Sequence, residues 1–312
     1  MTNPKPDFEA GVRYWEHTSA DVDGVLGGYG EQVVHLPLHH SITVTNPQRT
    51  LTYPQEHAGP SPRRDLVPLA HPLPPPSTLD HPTTAPRLLF LLLDPSSSRT
   101  TLPRPRLRRR HRPRHFDSPL ALAKKNALRA SEHGWTSLRE GEGAPAGERK
   151  AVRIWKAGLQ HFDPTCPGKP VDATKGSVEL FAQVGRDEPS WASSPPGAPR
   201  ELNVQEEGYD LIMIQWCIGH LSDDELVAFL KRSRAALRQQ PTGGPCEGYI
   251  LLKENVCKDE TERLFDEDDS SYTRSDKVFR EIFERAGLTL YRREVQQGFP
   301  EELFPVIAYA LR

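Results

Sequence analysis

Along the second half of the chain the spacing of apolar and polar residues changes period several times. "AVRIWKAGL" (151–159) alternates, with Val152 and Ile154 on one face, as a half-buried strand does. Inside "YDLIMIQWCIGHLSDDEL" (209–226), Leu211 to Ile214 form an unbroken apolar run, the mark of a strand covered on both faces. At Ser222 the period becomes helical. Ser222 and Glu225 make a capping box, and Leu226, Leu230, Ser233 and Leu237 then share one stripe. "GYILLKEN" (248–255) reads as a third strand. Val278, Phe279, Ile282, Phe283 and Ala286 give a second helical face, with Gly287 placed for a left-handed cap. "LTLYRREV" and "VIAYALR" close the chain as two strands with no helix between them, so an antiparallel hairpin is expected there. The order predicts an α/β fold whose parallel sheet is wrapped by helices. Residues 164–208, rich in Pro, Gly and Ser, read as a surface insertion within it.

The first half has another texture. Residues 1–30 carry "YWEHTSADVDGVLGGYG" (14–30), which reads as a short helix followed by a turn-rich loop. Between Pro37 and Pro119 lie 17 of the 31 prolines, a density that argues against any helix or central strand of useful length. Residues 31–148 are accordingly expected to be mostly disordered. Leu88 to Leu93, followed by Asp94, imitates a strand ending in a carboxylate but offers no glycine turn after it.

Charge and composition exclude more than they select. A formal charge of -2, with 40 basic and 42 acidic side chains, argues against binding nucleic acid through the overall field. The apolar run 88–93 is too short to span a bilayer, and "MTNPKPDFEA" lacks the apolar core of a signal peptide. A soluble, cytoplasmic chain that can also reach the nucleus is expected, with no membrane partner. Cys166, Cys217, Cys246 and Cys257 form no CxxC pair and are expected as reduced thiols, with no metal site.

Chemistry is sought first at the carboxyl ends of parallel strands, where such sheets bind ligands. The first strand ends in Leu159 and Gln160, the second in Gln215 and Trp216 with His220 close behind, the third in Lys253, Glu254 and Asn255. A lone histidine or tryptophan after a strand is usually structural; three neighbouring ends finishing in amide, indole and imidazole groups point to a cleft. "DEDDSS" (266–271) has two readings: a solvated acidic loop, or carboxylates at a cleft mouth that attract a cation and raise one another's pKa.

Seven stretches, "YWEHTSADVDGVLGGYG", "GLQHFDP", "YDLIMIQWCIGHLSDDEL", "KEN", "DDSS", "ERAGL" and "YALR", together resemble the protein α-N-terminal methyltransferases, over residues 14–30 and about 151–312. The resemblance implies a seven-stranded, Rossmann-like methyltransferase sheet and S-adenosyl-L-methionine as cofactor. It implies as partners proteins whose N-termini read X-Pro-Lys/Arg, methylated on the free α-amino group. By the same resemblance Leu159 and Gln160 bracket the adenine, Gln215 lies against the cofactor and Trp15 belongs to an N-terminal segment (1–30) that folds over it. Leu26 sits near the peptide entry, Trp216 stacks on the substrate proline and Asn255 holds the peptide backbone. His220 and Asp269 take up the amine proton, and Asp266 meets the basic third residue. Phe304 stands where the family often has Tyr.

One departure is large. The glycine-rich turn that lets backbone approach such a cofactor is absent, since Gly59 is the only glycine between Gly30 and Gly134. In its place "PRPRLRRRHRPRH" (103–115) carries seven arginines. Serial CGT arginine codons shifted by one nucleotide read GTC, valine, so residues from about 31 to 114 are read as an out-of-frame or retained-intron stretch. The N-terminal cofactor-binding part of the sheet is then missing or mistranslated, and "HFDSPLALAKKNAL" (115–128) resumes as a helix. Two alternatives stand beside the enzyme: a catalytically inactive, peptide-binding relative without the cofactor loop, and a small-molecule methyltransferase sharing the fold.

Overall fold

The computed structural model describes residues 4–7, 10, 11, 14, 88–92, 124, 125, 127–129, 151–185, 198, 199, 201–205, 207–239, 248–299 and 303–312. Residues 1–33 and 85–312 form one unit and 34–84 another, and every described element belongs to the first. In chain order its strands are β1 (Leu88–Leu92), β2 (Ala151–Ala157), β3 (Val178–Gly185), β4 (Leu211–Gln215), β5 (Tyr249–Cys257), β6 (Arg263–Asp266), β7 (Ser271–Ser275), β8 (Leu290–Val295) and β9 (Val306–Leu311). Two described helices, α1 (Asp223–Ala235) and α2 (Asp276–Arg285), follow β4 and β7.

Seven of these strands make one sheet. β1, β4 and β5 run parallel, with Leu211 to Gln215 facing Leu88 to Leu92 on one side and Tyr249 to Lys253 on the other. β9 pairs antiparallel with β5, and β8 with β9, which is the expected terminal hairpin. Ile212, Ile214, Ile250 and Leu252 are fully buried, so their alternation fills the layer between sheet and helices. α1 starts where the box forms: Ser222 Oγ accepts from Glu225 N, and Glu225 Oε2 accepts from Ser222 N at 2.9 Å. Its stripe of Leu226, Phe229, Leu230 and Ser233 packs inward, each large apolar side chain contributing roughly 1.5–3 kcal/mol. α2 ends in a Schellman motif, with Leu288 N donating to Phe283 O and Gly287 N to Glu284 O. Gly287 has φ +71°, a conformation in which a Cβ would cost about 1–2 kcal/mol.

The site depends on how β5 changes neighbours. β4 stops beside Lys253, and from Val256 the adjacent place is taken by β7, which pairs parallel at Val256↔Arg274 and Cys257↔Ser275. The turn leaving β4 and the turn entering β7 therefore meet, tied by Tyr272 N donating to Gly219 O at 2.8 Å.

Four expectations are corrected. β2 is a strand, but it pairs antiparallel with β3 in a separate two-stranded sheet, so its end is no neighbour of the β4 and β5 ends. β3 lies inside the stretch read as an irregular insertion. The acidic run is not a plain loop: its flanks pair as the β6–β7 hairpin, and all five residues of β7 are buried. Finally, β1 stands within the stretch read as disordered, while the helical residues among 124–129 fall where 115–128 is read as a helix. Pro86 and Pro95 leave eight residues between them, enough for a five-residue strand. No helix among the described residues is long and apolar enough to cross a membrane. Cys166, Cys217 and Cys257 are buried; Cys246 lies outside the described residues.

Candidate functional site

Trp216 is where β4 leaves the sheet. Its backbone takes φ 49°, which costs an L-residue about 1–2 kcal/mol, while its amide still reaches Lys253 O at 3.2 Å. Ser270, in the facing turn, is likewise left-handed at φ 56°. Strain of this kind persists only where surrounding packing holds it, and it collects at functional turns. Lys253 Nζ lies 5.1 Å from the Trp216 ring centroid, a cation on an aromatic face, and burial lowers its pKa. Trp216 Nε1 is buried without a hydrogen-bond partner.

The two turns bring His220 and Asp269 together. His220 Nδ1 lies 3.4 Å from Ser270 O, and burial lowers the imidazole pKa against a smaller upward pull from that carbonyl. A Cβ at Gly11 would stand 2.7 Å from His220 Nδ1 and 3.3 Å from Asp269 O, so one small gap touches both residues. Asp269 is 3% exposed and its Oδ1 has no partner. Burial first, then the charges of Asp266 and Asp268, push its carboxyl up to about 6, against hydrogen bonds from Ser271 that pull it down. At neutral pH Asp269 is thus a carboxylate and His220 an uncharged imidazole that can accept on one ring nitrogen, the two residues meeting at Gly11 through the Asp269 backbone.

Asn255 and Glu254 complete the floor. Asn255 is 3% exposed and its Nδ2 is buried with no partner. Its amide donates to Glu254 Oε1 at 3.0 Å. Burial raises the Glu254 carboxyl to about 7, although the amides of Asn255, Ile218 and Cys217 and the Arg274 charge all favour its ionised form. Asp266 closes β6, where its Oδ1 accepts from Asp268 N at 2.9 Å. Gln215 is the last residue of β4, opposite Lys253 and Leu92.

A chain segment far away in sequence covers this corner. Tyr272 Oη donates to Pro4 O, Asp7 N donates to Ser270 Oγ at 2.8 Å, and Gly11 is wedged at His220. Trp15 and Leu26 lie outside the described residues.

Leu159 and Gln160 sit apart from the β4 and β5 ends in sheet order, yet they are tied to the same body. Arg232 of α1 donates from Nε to Phe162 O and from Nη2 to Leu159 O, both at 3.1 Å, and Leu159 enters the common core. Gln160 Oε1 is a buried acceptor with no partner. An exocyclic amine on a purine is the donor such an atom lacks, so the residues present fit the adenine end of S-adenosylmethionine; the sequence supplies no glycine turn for the remainder.

Sequence reasoning missed Gly11, Arg274 and the roles of Lys253 and Glu254. Glu254 sits in the quoted "KEN", where burial of a carboxylate inside an apolar strand was a usable signal. Arg274 offered none, being one charge in a polar-looking segment.

Residues 197–312 match the family model described as AdoMet dependent proline di-methyltransferase. The chain is 44% identical over 113 residues to the N-terminal Xaa-Pro-Lys N-methyltransferase 1 of Danio rerio, covering 36% of this chain and 47% of that protein. It is 43% identical over 103 residues to the Alpha N-terminal protein methyltransferase 1 of Arabidopsis thaliana, covering 33% of this chain and 34% of that one. A solved SAM-dependent methyltransferase from Leishmania major is 38% identical where it aligns, with a TM-score of 0.30, covering 34% of this chain and 39% of that chain. The resemblance to α-N-terminal methyltransferases is borne out over this C-terminal part. The chain spans from about a third to about half the length of the curated relatives it matches.

Proposed function

We propose that this protein methylates the free α-amino group of polypeptides beginning Xaa-Pro-Lys or Xaa-Pro-Arg, with S-adenosylmethionine as donor. One observation carries the reading: two buried side-chain atoms of opposite sense lack partners on neighbouring segments, the donor Asn255 Nδ2 and the acceptor Asp269 Oδ1. An unmet buried polar group costs about 1–3 kcal/mol, so a ligand meeting both gains affinity and orientation. A peptide N-terminus brings N–H donors for the carboxylate and a carbonyl acceptor for the amide within a few bonds of each other.

Each residue then has a task. Asp269 binds the α-ammonium, whose pKa in peptides is about 8, and the uncharged His220 accepts its proton, leaving a lone pair free to attack. Trp216 gives the proline ring an apolar wall, Asn255 fixes the peptide carbonyl and Asp266 faces the basic third residue. The segment that reaches Tyr272 and Ser270 excludes water from the reacting atoms, and Trp15 and Leu26 would join it in the roles the family resemblance implies, over the cofactor and at the peptide entry. Leu159, Gln160 and Gln215 would hold S-adenosylmethionine, which supplies an electrophilic methyl on a sulfonium sulfur when bound. The rest of the acceleration comes from alignment of the amine, which in well-oriented systems is worth about 7–11 kcal/mol.

The missing glycine turn favours a second reading, a peptide binder without turnover. A Xaa-Pro-Lys peptide, its N-acetylated twin and S-adenosylmethionine separate the two. The enzyme methylates the first peptide only and releases heat on titration with the cofactor. Peptide binding with no cofactor heat and no methyl incorporation selects the silent binder, and failure of the free peptide to bind removes both.

A further inference from the structure

Between the strained Trp216 and the helix α1 lies a six-residue turn that must hold His220 against the Ser270 carbonyl. Leu221 N donates to Ile218 O at 3.2 Å, and the tie from outside the turn along its backbone is Tyr272 N donating to Gly219 O at 2.8 Å. The anchor comes from β7. Arg274, fully buried, donates from Nη1 to Ile218 O at 3.3 Å, from Nη2 to Leu221 O, and from Nε to Asp223 Oδ1 at 2.8 Å. One planar guanidinium therefore grips the carbonyls on either side of His220 and the first residue of α1 at once. Its geometry makes the grip all or nothing, because the fork cannot shift towards one carbonyl without leaving the other. The charges around it are placed to keep it there. Asp223 is shared with Arg263, which donates to Asp223 Oδ2 from Nε at 3.0 Å and from Nη2 at 2.6 Å. Glu254 faces the same guanidinium from β5 and the amides of Cys217 and Ile218 from the same turn, and both favour its ionised form against the burial that raises it to about 7.

We infer that Arg274 is a positioning residue, whose fork on Ile218 O and Leu221 O sets where His220 stands relative to Asp269. Asp269 and Arg274 belong to the same short segment running into β7, so one span of chain delivers the carboxylate and fixes the imidazole opposite it. A chain that moved β7 would move both partners together and keep their spacing. The inference rests on the reading of His220 as acceptor of the amine proton, and it names the group that makes His220 competent for that role. Arg274 touches neither peptide nor cofactor in this scheme, and its effect passes through the turn.

The test compares the full chain with R274K, which keeps a buried cation but cannot span two carbonyls. The reporters are the His220 imidazole resonance, identified by its loss in H220Q, and steady-state methylation of a Xaa-Pro-Lys peptide. In the unaltered protein His220 titrates below the ordinary value of 6.5 because it is buried. In R274K the turn loosens, water reaches the ring, and the titration moves up towards 6.5, with kcat falling about 10-fold or more and KM for the peptide changing less than about 3-fold. An unchanged His220 titration in folded R274K overturns the inference. If R274K does not fold cooperatively, D223N decides: it frees Nε of Arg274 and should move the His220 titration in the same direction by a smaller step, and no movement overturns the inference equally. Absence of methylation by the unaltered protein removes the functional reading instead, and the imidazole titration still judges Arg274.

Discussion

At Asp269 the penalty of burial and the needs of the chemistry act on the same oxygen. A carboxyl pushed up to about 6 is ionised at neutral pH yet basic enough to hold a shared proton well. D269N should therefore lower turnover by about 100-fold or more while leaving the S-adenosylmethionine affinity, read by calorimetry, nearly unchanged. Equal loss of both would place Asp269 on the cofactor side. Activity of the unaltered protein should fall as pH drops through about 6, where the carboxylate is lost. Glu254 carries the opposite balance, burial without an assigned task. Its carboxyl is raised from the ordinary 4.5 to about 7, so the folded state holds a proton that the unfolded state has released. The fold is then penalised progressively as pH rises from about 4.5 to about 7, by at most ~3.5 kcal/mol at about 1.4 kcal/mol per unit. E254Q removes the titration. Its melting temperature relative to the unaltered protein should rise between pH 5 and pH 8, and a pH-independent difference would mean that Glu254 is ionised throughout.

Elements show which parts of this architecture local rules can reach. The capping box at Ser222 and the left-handed Gly287 follow from contacts three or four residues apart, so both are legible in the sequence and both are present. S222A removes the acceptor for Glu225 N and should cost about 1 kcal/mol, measured by urea denaturation; a loss below a few tenths would show that water replaces the cap. Pairing partners are not local. Ala151 to Ala157 alternates as any half-buried strand does, and nothing in that alternation says that Val178 to Gly185, and not the main sheet, lies alongside. β7 misleads for another reason. Its Ser, Thr and Arg look solvated, and they are buried because Arg274 finds Asp223 and two turn carbonyls to satisfy it. The same distinction runs through the site: Trp216, His220 and Asn255 stand out as residue types at strand ends, whereas Gly11 and Arg274 act through contacts with residues remote in sequence, Arg274 reaching back across 56 positions to Ile218.

For the whole molecule the open issue is how a sheet that needs a strand beside β4 obtains one from so proline-rich a stretch. Backbone pairing supplies the answer, since Leu88 to Leu92 lies residue for residue in register with Leu211 to Gln215, and a parallel ladder asks for no glycine and no particular side chain. If β1 completes the sheet, its amides alternate between β4 and the opposite side, because successive N–H groups of a strand point in opposite directions. Replacing Phe90 and Leu91 by proline one at a time removes one amide of each kind. Among the described residues β1 has no partner beyond β4, so one variant should lose about 2 kcal/mol or more of stability and the other much less, compared by their urea midpoints. If neither variant moves the midpoint, β1 does not pair with β4, the core face formed by Ile212 and Ile214 must be closed by some other segment, and Gln215 loses the neighbour that places it at the inner end of a parallel sheet.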